Sequence, residues 1–394
     1  MNASEIFVVS AVRTAIGTFG GTLKDIPPTQ LATLVTNAAL SRANCDPQYV
    51  EHVVFGNVIP TCPGDAYISR VAALQAGIPR ETPAFMVNRL CGSGLQAIIS
   101  AAQSLLLGDA RIAIAGGAEC MSQGPYLVPG ARWGTRMGDA RMLDFMLGVL
   151  HDPLHGIHMG MTAENVAKQH CITREDQDAL ALQSQQRAVQ AIAEGRFATQ
   201  IVPVEISTRK GVMKFEVDEH VRPELTLEQL AKMKPAFVEG GTVTAGNASG
   251  LNDGASALLL ATGDGVKSQN LQPIARLVAY AHAGVDPLLM GLGPIPATRL
   301  ALKRAGLSVD DLDIIESNEA FASQACAVAR ELGFNPSKVN PNGSGISLGH
   351  PVGASGAIIV TKAIHELQRV KGRYALATMC IGGGQGIAAI FERV

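Results

Sequence analysis

Cys91 follows an apolar stretch and precedes Gly92-Ser93-Gly94 and a run with helical spacing. A thiol at a helix N-terminus meets exposed N–H groups and the positive end of the helix dipole, both of which favour thiolate. The glycines would let a substrate approach the backbone. The segment thus has the logic of a nucleophile elbow with a motif other than G-x-S-x-G. The bland alternative is a buried apolar thiol, the usual fate of a free cysteine. His350 stands in Gly345-Ile346-Ser347-Leu348-Gly349-His350-Pro351, where proline fixes the backbone and the glycines leave the ring accessible. Imidazole is the natural proton acceptor for a thiol at neutral pH; the alternative is a loop histidine bonded to backbone. Cys380 ends an apolar stretch and precedes Ile381-Gly382-Gly383-Gly384, whose bare N–H groups could bind an oxyanion. A strand-end cysteine beside a tight turn is the simpler local reading. Asn318-Glu319-Ala320-Phe321 follows another short apolar run and reads as an Asn turn, a helix cap or part of a site.

The elements that must carry these residues alternate. Residues 6–12 read as a strand broken by Gly17, Gly20 and Gly21, and 31–40 as a helix. Short strands are expected at 53–55, 84–87 and 111–115, with a helix over 92–107 closed by Gly108. This alternation predicts an α/β fold with a largely parallel sheet. Near the C-terminus the same order recurs: Gly353-Ala354-Ser355-Gly356 opens a helix to Leu367, Gly372 closes it, and a strand over 374–379 runs into three glycines. The recurrence predicts a duplicated α/β unit whose equivalent helix starts face one site. Residues 121–247 differ from both halves. They hold Trp133, the histidines 151, 155 and 158, and a polar helix over 174–194, and read as loops and helices inserted into the first half.

The 394 residues carry 32 Lys+Arg against 34 Asp+Glu, a net charge of −2, so no global field draws nucleic acid or anionic membrane. Glycine, 42 residues or about one in nine, exceeds the usual share of about 7% and points to tight turns and close backbone approaches. No apolar run approaches the roughly 18 residues of a membrane helix, and the start of the chain is too short and wrongly flanked for a signal peptide. Seven scattered cysteines without C-x-x-C spacing fit a reduced, cytoplasmic protein with free thiols. His151 and His155 are four apart, but Pro153 and Gly156 break the helix that would align them, so a metal site is not expected. The G-x-x-G-G spacing of Gly17, Gly20 and Gly21 is not a dinucleotide fingerprint.

Taken together, Asn88-Arg89-Leu90-Cys91-Gly92-Ser93-Gly94, the run Gly246–Gly254, Asn318-Glu319-Ala320-Phe321, Gly349-His350-Pro351 and Cys380-Ile381-Gly382-Gly383-Gly384 resemble the thiolase family over essentially the whole chain. Within the family the likeness is greatest to bacterial acetyl-CoA acetyltransferases and broad-chain β-ketothiolases of polyhydroxyalkanoate-producing bacteria. The resemblance implies duplicated α/β halves in five layers, α-β-α-β-α, with an inserted loop domain at about 122–248 that binds coenzyme A. The first half spans 1–270 and the second 271–394. It implies a homotetramer, a dimer of dimers, with residues 125–139 as the tetramerisation loop.

The activity implied is condensation of two acetyl-CoA to acetoacetyl-CoA, or of acetyl-CoA with propionyl-CoA, or thiolysis of a short 3-ketoacyl-CoA by free coenzyme A. No cofactor, metal, nucleic acid or membrane is implied as a partner. Carried over residue by residue, Cys91 is the acylated nucleophile, His350 accepts its proton, and Cys380 is the second acid/base. Asn318 holds a water that with His350 stabilises the enolate. The N–H groups of Cys91 and Gly382 form the other oxyanion hole. His158 and Met159 lie beside the thioester, Ser249 meets the pantetheine, and Arg222 lies near the nucleotide. Phe237, Met290 and Phe321 line the pocket, and Ala245, Leu251 and Ala320 are further coenzyme A-binding positions.

A decarboxylating ketoacyl synthase would need neither a second cysteine nor a carbon base. A cysteine hydrolase would ignore coenzyme A. A non-enzymatic binding protein of the same fold would be free to lack Cys91, His350 or Cys380, and all three are present.

Overall fold

The first strand, β1 (Ile6–Thr14), is buried along its entire length. A strand with only one covered face would alternate, so both faces of its sheet are covered. The computed structural model describes residues 5–209 and 211–394; the start of the chain that was read for a leader, Met1–Ser4, lies outside the described residues. After α1 (Pro28–Ala43) come β2 (His52–Gly56), β3 (Ala84–Val87), α2 (Ser93–Leu107) and β4 (Ile112–Cys120). Residues 121–251 then intervene, with α3 (Met159–Gln169) and α4 (Arg174–Ala193), before β5 (Asn252–Thr262). The second half runs β6 (Ala275–Gly284), α5 (Pro294–Ala305), β7 (Ile314–Ser317), α6 (Ala322–Leu332), α7 (Val352–Val370), β8 (Tyr374–Ile381) and β9 (Gln385–Arg393).

The strand order of the first half is β3-β2-β4-β5-β1, and that of the second is β7-β8-β9-β6, with a single parallel bridge from Ile315 to Val339 standing where β3 pairs β2. Strand orientations match one for one, so the duplication read from the glycine pattern is real. The halves join edge to edge where Phe7 and Val8 of β1 pair with Arg276 and Ala275 of β6. The expected largely parallel sheet is not what forms. Along the main path of the sheet β3-β2-β4 and β7-β8 are parallel and each half continues antiparallel; a two-residue strand, Ile201–Val202, also joins β1 in parallel. The reason is the last connection of each half. A helical crossover is needed for a parallel neighbour, but β8 turns directly into β9 through Gly382–Gly384. The first half places the whole insertion, 121–251, at that same turn.

The amphipathic helices cover these sheets. α1 and the short helix Ile68–Gln75 cover the outer face of the first half, and α5 and α6 that of the second. α2 and α7 lie together between the two sheets, completing five layers. They can meet because both begin with small residues. A Cβ on Gly94 would stand 2.7 Å from the backbone N of Ala357, and one on Gly356 2.3 Å from that of Leu95. Gly94→Ala would therefore overpack this contact, at a cost of about 1–3 kcal/mol. Leu95, Ile98 and Ile99 of α2 are fully buried, each worth roughly 1.5–3 kcal/mol relative to exposure. This burial also corrects the reading of apolar runs. Leu90–Leu107 spans 18 residues at a mean hydropathy of 1.4, enough by length and composition to cross a membrane, and it is apolar because it is the central helix, 56% buried inside the protein.

Candidate active site

Four loops at the ends of these elements meet at one cavity. The first leaves β3. Asn88 Oδ1 accepts from Leu90 N at 2.9 Å, and Leu90 takes a left-handed φ of 46°. That conformation is costly for a leucine, and Ser93 holds it: its Oγ accepts from Arg89 N at 2.8 Å and donates to Leu90 O at 2.7 Å. The result sets Cys91, half-buried, at the start of α2, where the N–H groups of Gly382 and of Cys91 itself approach its sulfur. The expected thiolate does not prevail at rest. Burial pushes the thiol up to about 11, and the two N–H groups oppose this without overcoming it.

The second loop carries His350 at the start of α7. Gly349, at φ 109°, passes so close to Asn252 that a Cβ would stand 2.5 Å from its Cγ. Asn252 Oδ1 accepts from His350 N at 2.9 Å, and its Nδ2 donates to Gly17 O at 2.9 Å, so a residue of the second half hangs on the first. The imidazole is buried, which holds its pKa down at about 4. Its Nδ1 lies 2.5 Å from Ser355 Oγ, and that hydroxyl is 2.9 Å from Pro351 O. With the single hydroxyl proton given to Pro351, Oγ accepts from Nδ1–H. The tautomer assigned by this network leaves Nε2 bare, and Nε2 is buried without a protein partner.

The third loop is the β8–β9 hairpin. Cys380 is buried in β8, opposite Gly386, and the hairpin turns through Gly382–Gly384. Burial and the neighbouring Cys91 both push the Cys380 thiol up. The fourth loop holds Asn318. Its N–H donates to Thr378 O at 3.0 Å, and its buried Nδ2 has no protein partner. Asn318 does not itself line the cavity.

The cavity holds about 400 Å³. Cys91, His350, Cys380 and Gly382 lie on its wall, and so do His158, Met159, Arg222, Phe237, Ala245, Ser249, Leu251, Met290, Ala320 and Phe321. Of the residues expected from sequence, Asn318 alone stands behind the wall. His158 Nδ1 accepts from Gly160 N at 3.0 Å, and its ring stacks on Phe237 with centroids 4.7 Å apart. Burial, then His151, lowers the His158 pKa. Ser249 N donates to Ala320 O at 2.9 Å, which ties the run Gly246–Gly254 to the Asn318 loop. Arg222 is exposed at the mouth. Sequence reading missed Met121, Leu147, Leu150, His220 and Val352, which also line the cavity. His220 is held down at about 4 by burial and by Arg222. The histidines of the insertion have local partners: His151 Nδ1 lies 2.7 Å from Leu147 O, and His155 Nδ1 2.9 Å from Asp152. Among the described residues no group of three or more His, Cys, Asp or Glu is arranged to hold a metal ion.

A thiol at a helix start, an imidazole with a free nitrogen, a second thiol and converging N–H groups on one apolar cavity are parts that suit acyl transfer. Family models described as "Thiolase, N-terminal domain" and "Thiolase, C-terminal domain" match residues 6–264 and 271–393. The chain belongs to the thiolase family. It is an acyltransferase with thiolase activity. It is 63% identical over 391 residues to beta-ketothiolase BktB of Cupriavidus necator, covering 99% of each chain. Acetyl-CoA acetyltransferase of Syntrophomonas wolfei is 48% identical, with 98% of this chain and 99% of that one covered. The crystal structure of human mitochondrial 3-ketoacyl-CoA thiolase superimposes with a TM-score of 0.98 at 48% identity, covering all of both chains. The human enzyme's complex with CoA gives 0.96 at 47% identity, covering 100% of this chain and 98% of that one.

Proposed function

We propose that this thiolase joins two acetyl-CoA to acetoacetyl-CoA, or acetyl-CoA and propionyl-CoA to 3-ketovaleryl-CoA, and cleaves short 3-ketoacyl-CoA with free coenzyme A. The observation that carries the reading is the convergence of Cys91, Gly382, His350 and Cys380, from both halves, on one cavity. Cys91 Sγ attacks the thioester carbonyl while its proton passes to His350 Nε2. With the thiol near 11 and the imidazole near 4, a free thiolate–imidazolium pair is uphill. The proton therefore moves as the carbonyl is attacked, with the developing oxyanion held by the N–H groups of Cys91 and Gly382. Cys380, kept as a thiol by burial, protonates the departing coenzyme A sulfur and is left as thiolate. It then takes a proton from the methyl of a second acetyl-CoA. The enolate oxygen is held by His350 and by a water on Asn318 Nδ2. The carbanion attacks acyl-Cys91, the C–S bond breaks, and the leaving Cys91 sulfur takes back the proton held on His350 Nε2, which restores the resting enzyme and gives ping-pong kinetics.

His158 and Met159 flank the thioester, Ser249 meets the pantetheine, and Arg222 sits toward the nucleotide. Ala245, Leu251, Ala320, Phe237, Met290 and Phe321 complete the wall. The enzyme needs no cofactor in this scheme. The division at 270/271, with an insertion at about 122–248 forming the coenzyme A wall, goes with it. A cytoplasmic homotetramer is part of the same reading. Trp133 and Met137, 86% and 93% exposed, together with exposed Tyr126, Leu127 and Leu143 of the same segment, support an assembly contact within the insertion. Flexible Met159 and Met290 support short chains with tolerance for one or two further carbons. The test is thiolysis of a 3-ketoacyl-CoA series with and without free coenzyme A. The expected result is coenzyme A-dependent cleavage, best at four and five carbons. Loss of substrate without coenzyme A, or a preference for long chains, overturns the reading.

A further inference from the structure

Of Asn318-Glu319-Ala320-Phe321, three residues have a part in the scheme above and Glu319 has none. Its carboxylate is 4% exposed and does not line the cavity. A buried carboxylate is costly unless donors surround it, and an apolar side chain of similar volume would fill a core at no such cost. Glu319 has three donors, and each comes from a different segment. Ser184 Oγ, on α4 of the insertion, lies 2.6 Å from Oε2. Asn340 Nδ2, in the loop after α6, lies 2.9 Å from Oε1. The N–H of Ile346 belongs to the helical turn that leads into His350.

Each donor is tied onward. Ser184 Oγ is 2.8 Å from Ser347 Oγ in that same turn. Asn340, at a left-handed φ of 45°, exchanges two bonds with the Ser317 backbone, which extends β7 just before Asn318. The turn itself presses on the Asn318 loop. A Cβ on Gly345 would stand 2.6 Å from Glu319 O and 3.0 Å from Asn318 Oδ1. The nearby cations are occupied elsewhere, Lys362 by Glu316 and Gly343 O and Arg187 by Val339 O and Pro336 O. One carboxylate thus spans the two loops that carry Asn318 and His350 and fastens both to the insertion.

We infer that Glu319 is a positioning residue that acts on the reaction through Asn318 and His350, by fixing their two loops and α4 in one geometry. The inference rests on the proposed roles of those two residues. The enolate step needs both at once, so it is the step that suffers most when the clamp is loosened; His158, Met159, Phe237, Ser249 and Met290, on other segments, keep most of the thioester-binding wall in place.

The experiment uses the full chain with Glu319→Ala, Glu319→Gln and Ser184→Ala. It reads kcat and KM for acetoacetyl-CoA thiolysis, and thermal unfolding as the check on folding. Misplacing a catalytic group by about 1 Å costs on the order of 10²-fold. Glu319→Ala is therefore expected to lower kcat by about 10- to 100-fold with KM held within about threefold. Glu319→Gln keeps an acceptor oxygen and should regain most of the loss. Ser184→Ala, which removes one of the three donors, should cost about 3- to 10-fold in kcat. A folded Glu319→Ala with kcat within twofold of the unmodified enzyme, or Glu319→Gln no better than Glu319→Ala, overturns the inference. If Glu319→Ala does not fold, a folded Ser184→Ala with unchanged kcat overturns it. An unmodified enzyme without coenzyme A-dependent thiolysis would instead refute the proposed function itself.

Discussion

Ser355→Ala tests how the proton acceptor is prepared. Ser355 Oγ sits 2.5 Å from His350 Nδ1 and 2.9 Å from Pro351 O. Removing it leaves Nδ1–H buried with no acceptor, a loss of about 1–3 kcal/mol. The other tautomer escapes that penalty by carrying its proton on Nε2, toward the cavity, where it can no longer accept from Cys91. The competent tautomer therefore falls by about 5- to 150-fold, and kcat/KM falls with it, because activity scales with the fraction of competent enzyme. The assay is steady-state thiolysis of acetoacetyl-CoA, paired with ¹⁵N shifts of labelled histidine to read the tautomer. A kcat/KM within twofold of the unmodified enzyme, or an Nε2–H tautomer already present in it, would refute the reasoning.

Iodoacetamide should inactivate in step with labelling of the Cys91 peptide, and acetyl-CoA should protect. Because burial holds this thiol near 11, the rate of inactivation should still be climbing above about pH 9; a plateau near neutral pH would show a pre-formed thiolate. Acid should weaken the fold through His350. The unfolded chain protonates this residue near its ordinary 6.5 and the folded one only near 4. Stability is therefore full above pH 6.5 and drains as pH falls from 6.5 to 4, by about 3 kcal/mol at the lower end. Denaturant melts at pH 7, 5.5 and 4.5 should show a shallower loss for His350→Gln, and equal slopes would contradict the assignment.

The chemistry was legible because each loop of the site carries a local signature: a thiol before Gly-Ser-Gly, a histidine between Gly and Pro, a thiol before three glycines. The duplication was legible for the same reason, since the central helices can touch only through small residues such as Gly94 and Gly356. What was lost depends on partners distant in sequence. The antiparallel second part of each sheet follows from how the last two strands connect, and local periodicity does not report strand direction. Leu147, Leu150 and Val352 look like ordinary apolar residues until the insertion folds over the cavity. The expectation of a Cys91 thiolate counted the helix end and could not count the burial that outweighs it. The run 90–107 reads as apolar because two sheets enclose it.

The central claim is that Cys91 holds the acyl group and Cys380 moves the carbon-bound proton. It is tested most directly by mixing Cys380→Ser enzyme with labelled acetyl-CoA, quenching, and locating the label. Acylation keeps Cys91, His350 and the Gly382 turn in this variant; it loses only the Cys380 proton for the departing coenzyme A, which can leave as a thiolate, so labelling slows without being abolished. Proton abstraction from the methyl needs a base that a serine hydroxyl replaces poorly, so turnover should fall by at least about 10²–10⁴-fold. The account predicts acetyl on the peptide containing Cys91 together with negligible acetoacetyl-CoA, and no label at all in Cys91→Ala. Near-normal synthesis by Cys380→Ser, or label retained in Cys91→Ala, would contradict it.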